Sequence, residues 1–232
     1  MVKKYNVLLL DADDTLLDFK ATERESVKKV LSEFGVPADD ATVSLYSSIN
    51  KALWKAHERG EISRQEILDR RFTQLFEALS VEADGIEAER RYRFLLGEGK
   101  QVIPGALELC ERLRKNYRLY IITNGVAKTQ RSRLEGSGIT SRVDGIFISE
   151  EIGISKPNAG FFDAVFAELK VPREEALIVG DSLTSDIKGG INAGVDTCWY
   201  NPEALVCDGD VLPTYEIDAL NKLEELLKAI GE

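Results

Sequence analysis

The segment DADDT, residues 11–15, places three carboxylates and a hydroxyl directly after an apolar run, KYNVLLL, at residues 4–10. A single aspartate at the end of a strand is common, because its side chain can bond the backbone of the following turn. Three acids within four positions repel one another and would destabilise an ordinary loop. The pattern therefore predicts that a positive charge from elsewhere compensates this segment.

Polar side chains that can do chemistry follow three further apolar segments. RLYIITNG (118–125) ends in Thr-Asn-Gly, VDGIFISEE (143–151) is followed by Lys156, and EALIVGDS (175–182) opens the acidic run GDSLTSD. Predicted helices separate these segments, and this alternation is typical of a doubly wound parallel sheet, an α/β fold with helices on both faces. Ligands bind beyond the carboxyl ends of such strands. We therefore expect the polar segments to meet at one edge of the sheet.

Four aspartates would then share this crevice: Asp11, Asp13, Asp181 and Asp186. Carboxylates a few ångströms apart raise each other's pKa and destabilise the fold unless a cation lies between them. Oxygen ligands favour a hard cation, and Mg²⁺ typically binds few carboxylates together with waters and a substrate phosphate. Lys156 adds one positive charge. The sequence therefore predicts a Mg²⁺ site that a phosphate group completes.

The spacing of Asp11 and Asp13 suits phosphoryl transfer. Residues two apart in an extended segment point to the same side, so the two carboxylates can flank one reacting group. One can attack phosphorus and form an aspartyl phosphate. The other can protonate the leaving oxygen and later deprotonate a water. The donors predicted to hold the phosphoryl oxygens are Thr123, the backbone amides of Asn124 and Gly125, and Lys156, which would also balance the charge of the nucleophile.

The overall charge limits the class of partner. The 232 residues include 30 basic and 40 acidic side chains, a net charge of −10. Such a chain is a poor general partner for nucleic acid polymers or anionic membranes, whereas a small phosphorylated metabolite needs only local positive charge. No apolar stretch approaches the roughly 20 residues that span a bilayer, and the start lacks a signal-peptide cleavage pattern. We therefore expect a cytoplasmic protein, either a monomer or a homodimer.

A region of helical periodicity lies between the DADDT segment and the later strands. Apolar residues recur at helical spacing in four segments of this region. Ser63 and Glu66, three positions apart, have the capping-box pattern that begins a helix. We predict a small helical domain at residues 18–97, inserted into an α/β core that comprises residues 1–17 and 98–232.

Two sets of side chains in this helical domain have expected environments. The aromatic residues at helical spacing are predicted to pack in its core: Trp54, Phe72 and Phe76. The arginines are expected at its surface, with contact to a nucleotide or phosphate as the alternative: Arg64, Arg70 and Arg71.

The motifs resemble those of the haloacid dehalogenase (HAD) superfamily. DADDT is similar to its DxDx(T/V) signature, TNG to its Thr/Ser motif, Lys156-Pro157 to its lysine motif and GDSLTSD to its acidic GDxxxxD motif. Their order and separation agree, and the resemblance covers essentially the whole chain. It implies a Rossmann-like core, a helical cap of the first type inserted after the first motif, and Mg²⁺-dependent phosphoryl transfer.

The resemblance also implies a role for each acid. Asp11 would be the nucleophile, and Asp13 the general acid and base. In relatives the metal contacts the nucleophile carboxylate, the backbone carbonyl at the position of Asp13 and the first acid of the last motif, here Asp181. Asp186 would act through water or by orienting Lys156.

One departure narrows the resemblance. The fourth residue of the first motif is more commonly glycine, and here it is Asp14. Such an acid occurs in a subgroup resembling pyrimidine nucleoside 5′-monophosphatases, whose first motif often reads DADDTL followed shortly by Phe. The segment ERGEISRQEILDRRF also resembles that subgroup. We expect Asp14 itself to cap the helix that follows.

A phosphatase of small phosphomonoesters is the leading hypothesis, with a nucleoside 5′-monophosphate as the preferred substrate. A sugar-phosphate or phosphoglycolate phosphatase and a phosphomutase are the alternatives, because the same four motifs serve those reactions. A 2-haloacid dehalogenase is disfavoured, because that chemistry needs no second acid such as Asp13. A non-catalytic binding protein is disfavoured, because all four motifs are intact.

Overall fold

The computed structural model describes residues 5–207 and 209–231; the remaining residues of the predicted strand and domains, 1–4, 208 and 232, lie outside this part of the chain. The described residues form two compact units. One unit ends at Asp18 and resumes at Lys100, and the other is Phe19–Gly99. Within the described ranges, no helix has the length and apolar character needed to cross a membrane.

Among the described residues of the first unit, one sheet has six strands: β1 (Val7–Leu10), β2 (Arg118–Thr123), β3 (Gly145–Ile148), β4 (Ala176–Gly180), β5 (Asp196–Tyr200) and β6 (Tyr215–Ile217). All neighbouring strands are parallel, in the order β3-β2-β1-β4-β5-β6. Leu10 at the end of β1 lies beside Ile121 of β2 and Val179 of β4. The three strands therefore end at the same edge, and the predicted doubly wound parallel sheet is confirmed.

The helices of the described residues divide between the two units. Those of the helical unit are α1 (Phe19–Glu33), α2 (Asp40–Glu58), α3 (Arg64–Ala78) and α4 (Gly85–Gly97). Those of the sheet unit are α5 (Ala106–Leu113), α6 (Ala127–Gly136), α7 (Ser149–Ile152), α8 (Ala159–Leu169), α9 (Lys188–Ala193) and α10 (Asn221–Gly231).

Alternate residues of β1 contribute to two separate apolar layers. Leu8 and Leu10 pack in one layer with residues of α5 and α10, whereas Val7 and Leu9 pack in another with residues of α8. Successive side chains of a strand point to opposite faces of the sheet, so both faces of β1 are covered by helices. This burial explains why the strand is an unbroken apolar run.

Two elements of the sheet unit differ from the prediction. Strand β6 was not predicted, because three residues are too few for a recognisable period; it is a strand through its pairing with β5. The strand predicted at 175–182 ends at Gly180. Residues Leu183–Ile187 form a wide helical turn with π geometry. This turn leads into α9 and allows Asp186 to accept a hydrogen bond from the backbone N–H of Ser182 at 3.1 Å.

The helical unit follows its apolar pattern. The predicted capping box is present, since Glu66 N–H donates to Ser63 Oγ at 3.2 Å and Ser63 N–H donates to Glu66 Oε2 at 2.8 Å. Phe72 and Phe76 are buried as predicted, whereas Trp54 is only half-buried. The unit is therefore held by an aromatic and aliphatic core of its own.

Arg71 was expected at the surface and is buried instead. Its guanidinium donates to both carboxylate oxygens of Glu89 at 2.6 and 2.7 Å, and to Asn50 Oδ1 at 3.1 Å. Position 71 lies four residues from both Ile67 and Leu75, so it belongs to the buried stripe of α3. Pairing with a carboxylate offsets the cost of taking the guanidinium out of water.

Candidate active site

The sheet places Asp11 and Asp181 side by side. Asp11 directly follows β1 and continues its ladder, because its N–H donates to the carbonyl of Val179 at 2.8 Å. Asp181 directly follows β4, the neighbour of β1. Both acids consequently project from the carboxyl edge of the sheet, as expected for ligand sites in this architecture.

Three acids gather around this edge. Carboxylate oxygens of Asp11, Asp181 and Asp186 lie within 4.8 Å of one another. The ammonium of Lys156 donates to Asp11 Oδ1 at 2.6 Å, to Asp186 Oδ1 at 2.7 Å and to the carbonyl of Ile122 at 2.8 Å. These contacts use all three donors of the lysine. Lys156 is therefore a fixed part of the cluster, buried to the same degree as Asp186.

One lysine does not balance the three acids. Burial, with the nearby carboxylate of Asp186, raises the pKa of Asp11 to about 8. Burial, with the nearby carboxylate of Asp11, raises the pKa of Asp181 to about 9. Burial disfavours the charge of Lys156, but the two acids outweigh it and raise the pKa of the lysine. Clustered carboxylate oxygens that still repel one another are suitable ligands for a hard divalent cation.

Asp186 is positioned by the turn that follows β4. Besides its contact with Lys156, it accepts the Ser182 N–H at 3.1 Å. Its side chain lies over Gly180, so closely that a Cβ atom there would overlap the carboxylate. The glycine of the GDSLTSD motif therefore makes room for the second acid of the same motif.

The segment after β2 holds the lysine through its backbone. The Asn124 side chain donates to the Lys156 carbonyl at 2.9 Å and accepts from the Lys156 N–H at 2.9 Å. Thr123 is buried, and its Oγ1 accepts from the Gly125 N–H at 3.1 Å and from Gln130 Nε2 at 2.8 Å. The predicted phosphate-binding residues thus lie together, with the Gly125 amide directed at the Thr123 hydroxyl.

Asp13 faces a different set of partners. Its carboxylate is not among the three that cluster in the described residues. Gln130 Nε2 donates to Asp13 Oδ2 at 2.8 Å, and the Arg133 guanidinium forms an ion pair with Asp13 Oδ1. The predicted metal ligands therefore divide into three clustered carboxylates and Asp13, for which the resemblance implied a backbone carbonyl contact.

Asp14 has a φ angle of 56°, in the left-handed region. Glycine adopts this region without strain, which gives a physical reason for the glycine that is commoner at this position. The prediction that Asp14 caps the following helix is wrong, because α1 begins only at Phe19.

The sequence reasoning missed three residues that contact this site. Gln130 and Arg133 of α6 contact Asp13, and the indole N–H of Trp199 donates to the carbonyl of Asp181 at 2.8 Å. A signal for the first two exists in the sequence. They occupy the buried face of α6 beside Leu134, where apolar residues are expected at helical spacing. Polar residues on a buried face indicate a buried polar partner.

Comparison with known proteins identifies the class. A family model described as haloacid dehalogenase-like hydrolase matches residues 5–194. Together with the parallel sheet and the acids at its carboxyl edge, this match shows that the chain belongs to the haloacid dehalogenase-like hydrolases.

Individual relatives are similar over nearly the whole chain. YfnB of Bacillus subtilis, named a HAD-hydrolase, is 42% identical over 97% of both chains. Its crystal structure, described as bound to magnesium, matches with a TM-score of 0.93 and covers 97% of this chain and 99% of that one. The pyrimidine 5′-nucleotidase PynA of Streptococcus pneumoniae is 40% identical over 96% of this chain and 95% of its own. The pyrimidine 5′-nucleotidase YjjG of Escherichia coli is 33% identical over 97% of this chain and 98% of its own.

Proposed function

We propose that this hydrolase is a Mg²⁺-dependent phosphatase of small phosphomonoesters, with nucleoside 5′-monophosphates as its preferred substrates. The observation that carries the proposal is the buried group of three carboxylates around one lysine at the edge of the sheet. A divalent cation would offset the negative charge of these carboxylates. The cation and Lys156 together could then bind an anionic phosphate group. The pyrimidine 5′-nucleotidases PynA and YjjG among the relatives support the choice of substrate.

The cluster fits Mg²⁺ by the chemistry of its donors. The carboxylates of Asp11, Asp181 and Asp186 would hold the ion, together with the backbone carbonyl of Asp13 that the family resemblance implies. When bound, Mg²⁺ supplies positive charge to the acids and to the phosphoryl oxygens. The magnesium-bound crystal structure of YfnB, 42% identical to this chain, supports this assignment.

Asp11 is the nucleophile in this proposal. Lys156 holds its Oδ1 at 2.6 Å, and Oδ2 lies 3.5 Å from the Thr15 hydroxyl. This arrangement leaves Oδ2 to attack phosphorus, which forms an aspartyl phosphate and releases the alcohol. Lys156 keeps the nucleophile oriented and offsets charge that develops on the phosphoryl group.

Asp13 is the general acid and base. As a carboxylic acid it transfers its proton to the leaving oxygen while the phosphorus–oxygen ester bond breaks. As a carboxylate it then removes a proton from the water that attacks the aspartyl phosphate. The products are the alcohol, inorganic phosphate and regenerated Asp11. Thr123 follows Ile122, whose carbonyl accepts a hydrogen bond from Lys156, and the Thr123 hydroxyl can donate to a phosphoryl oxygen.

A panel of phosphomonoesters tests the proposal. The panel comprises nucleoside 5′-monophosphates, sugar phosphates and phosphoglycolate, with free phosphate as the readout, in Mg²⁺ and again after chelation. We expect phosphate release that requires Mg²⁺, with the largest kcat/KM for pyrimidine nucleoside 5′-monophosphates. Asp11→Asn removes the nucleophile and lowers kcat by at least about 10³-fold, in the range that loss of a catalytic nucleophile produces.

Asp163→Asn is the matched control. Asp163 lies on α8 with a side chain that is 60% exposed, so its amide variant keeps normal activity. Equal activity of Asp11→Asn and the unmodified protein would refute the assigned nucleophile. Faster hydrolysis of sugar phosphates would refute the nucleotide preference, and an isomerised sugar phosphate without free phosphate would indicate a mutase.

A further inference from the structure

Two residues of α6, Gln130 and Arg133, bind the carboxylate of Asp13 from one side. Gln130 Nε2 donates to Oδ2 at 2.8 Å, and Arg133 Nη1 pairs with Oδ1. Arg133 Nη1 also donates to Gln130 Oε1 at 3.0 Å, so the two residues orient each other. The Asp13 carboxylate is therefore held by both of its oxygens.

The burial of Arg133 shows that this arrangement is built into the fold. Its side chain is 1% exposed, whereas that of Asp13 is 29% exposed. Burying a guanidinium is unfavourable unless a carboxylate and hydrogen bonds compensate it. In this ion pair, Arg133 on α6 is buried and fixed, whereas Asp13 in the DADDT segment is accessible. Each carboxylate oxygen can accept more than one hydrogen bond, so Asp13 remains able to exchange a proton with a substrate.

Gln130 also links Asp13 to the phosphate-binding segment. The same Nε2 that donates to Asp13 donates to Thr123 Oγ1 at 2.8 Å. The Gln130 side chain passes over Gly125, where a Cβ atom would overlap it. The side-chain amide of Gln130 therefore bridges the Asp13 carboxylate and Thr123, the last residue of β2.

We propose that Gln130 and Arg133 are positioning residues that aim the carboxylate of Asp13 at the leaving oxygen of the substrate. The proposal rests on the phosphatase function proposed above. The proton moves from Asp13 to the leaving oxygen as Asp11 displaces it, and Asp13 later takes a proton from the attacking water. Gln130 and Arg133 exchange no proton; they fix the direction of the carboxylate in both steps.

Leaving-group dependence separates this role from a purely structural one. An alkoxide such as the 5′-oxygen of a nucleoside needs a proton as it departs, whereas p-nitrophenolate is a stable anion that leaves without one. A misaimed Asp13 therefore slows formation of the aspartyl phosphate from a nucleotide far more than from p-nitrophenyl phosphate. A general loss of folded protein would slow both reactions by the same factor.

The experiment compares kcat/KM for both substrates in Arg133→Met, Gln130→Met and the unmodified enzyme, all with Mg²⁺. For each variant we expect kcat/KM to fall about 10- to 100-fold for the nucleotide, as for a misplaced catalytic group. For p-nitrophenyl phosphate we expect a fall of less than about 3-fold, with a burst of one p-nitrophenolate per enzyme because aspartyl phosphate hydrolysis still needs Asp13.

Arg131→Met is the matched control, since Arg131 lies on the same helix but pairs with Glu151 at the surface, with a side chain 52% exposed. It should leave both rates unchanged. If Arg133→Met fails to fold, Gln130→Met decides the matter, because it nearly conserves volume and removes no charge. Equal losses for both substrates, or no loss for the nucleotide, would overturn the positioning role. Lack of Mg²⁺-dependent hydrolysis by the unmodified enzyme would overturn the proposed phosphatase and this role with it.

Discussion

Lys156 shows how a single residue can hold the site together. Its three donors bind Asp11, Asp186 and the carbonyl of Ile122, and its side chain is 1% exposed. The acids it contacts are themselves buried. Removal of the lysine would therefore leave carboxylates in a low-dielectric environment without a compensating charge.

Lys156→Met tests this stabilising role. We expect the free energy of unfolding at pH 8, in the absence of metal, to fall by about 3–5 kcal/mol, the typical cost of removing one partner of a buried ion pair. Urea denaturation of the variant and the unmodified protein measures this difference. Lys222→Met is the control, because Lys222 pairs with Asp218 at the surface and exposed pairs contribute little. A loss below about 1 kcal/mol for Lys156→Met would contradict the assigned stabilisation.

At the scale of elements, the site depends on how strands end. β1 and β4 are adjacent, and the residue after each strand is an aspartate. The turn after β4 then brings Asp186 back over Gly180, the last residue of that strand. The compact cluster of acids at the edge of the sheet consequently requires glycine as the last residue of β4.

Gly180→Ala tests this requirement of the strand end. The added Cβ atom would overlap the Asp186 carboxylate and displace it from Lys156. We expect kcat/KM to fall by about 10- to 100-fold, and half-maximal activity to require more Mg²⁺. Activity is measured over a series of Mg²⁺ concentrations. Gly231→Ala serves as the control, since a Cβ atom there meets nothing within 4 Å. Unchanged activity of Gly180→Ala would show that the turn adapts.

At the scale of the whole molecule, the charge of the site links stability to pH. Asp11 and Asp181 have pKa values raised to about 8 and about 9 by burial and by neighbouring carboxylates, above an unfolded value of about 3.9. In the metal-free protein, the stability associated with their neutral forms is complete below about pH 4. That contribution is lost as the pH rises through about 8 to 9.

Mg²⁺ should therefore stabilise the protein more at high pH than at low pH. Ionised carboxylates bind the cation, and binding to the folded state alone stabilises it by about 2.7 kcal/mol when the ligand is at 100 times its Kd. Thermal unfolding at pH 6 and pH 9, with Mg²⁺ or with a chelator, measures the effect. We expect Mg²⁺ to raise Tm at both values and by more at pH 9. An equal or absent shift would contradict a metal site built from these acids.

Local patterns in the sequence were sufficient to predict the layered fold and the meeting of Asp11, Asp181, Asp186 and Lys156 at one edge of the sheet. Apolar runs that end in DADDT, TNG and GDSLTSD predicted parallel strands with their chemistry at one edge, because strand alternation with helices restricts the topology. The capping box at Ser63 is a signal within four residues, so it too was readable. These features depend on neighbours close in the chain.

Contacts between distant segments were decided only by the tertiary structure. Arg133 and Asp13 are 120 positions apart, Trp199 and Asp181 are 18 apart, and β6 exists only through pairing with β5. Spacing and residue type predict which side chains could react, but they do not specify which helix face lies against which strand end. The direction of the Asp13 carboxylate follows from packing of α6 against the sheet, and packing is a property of the folded chain as a whole.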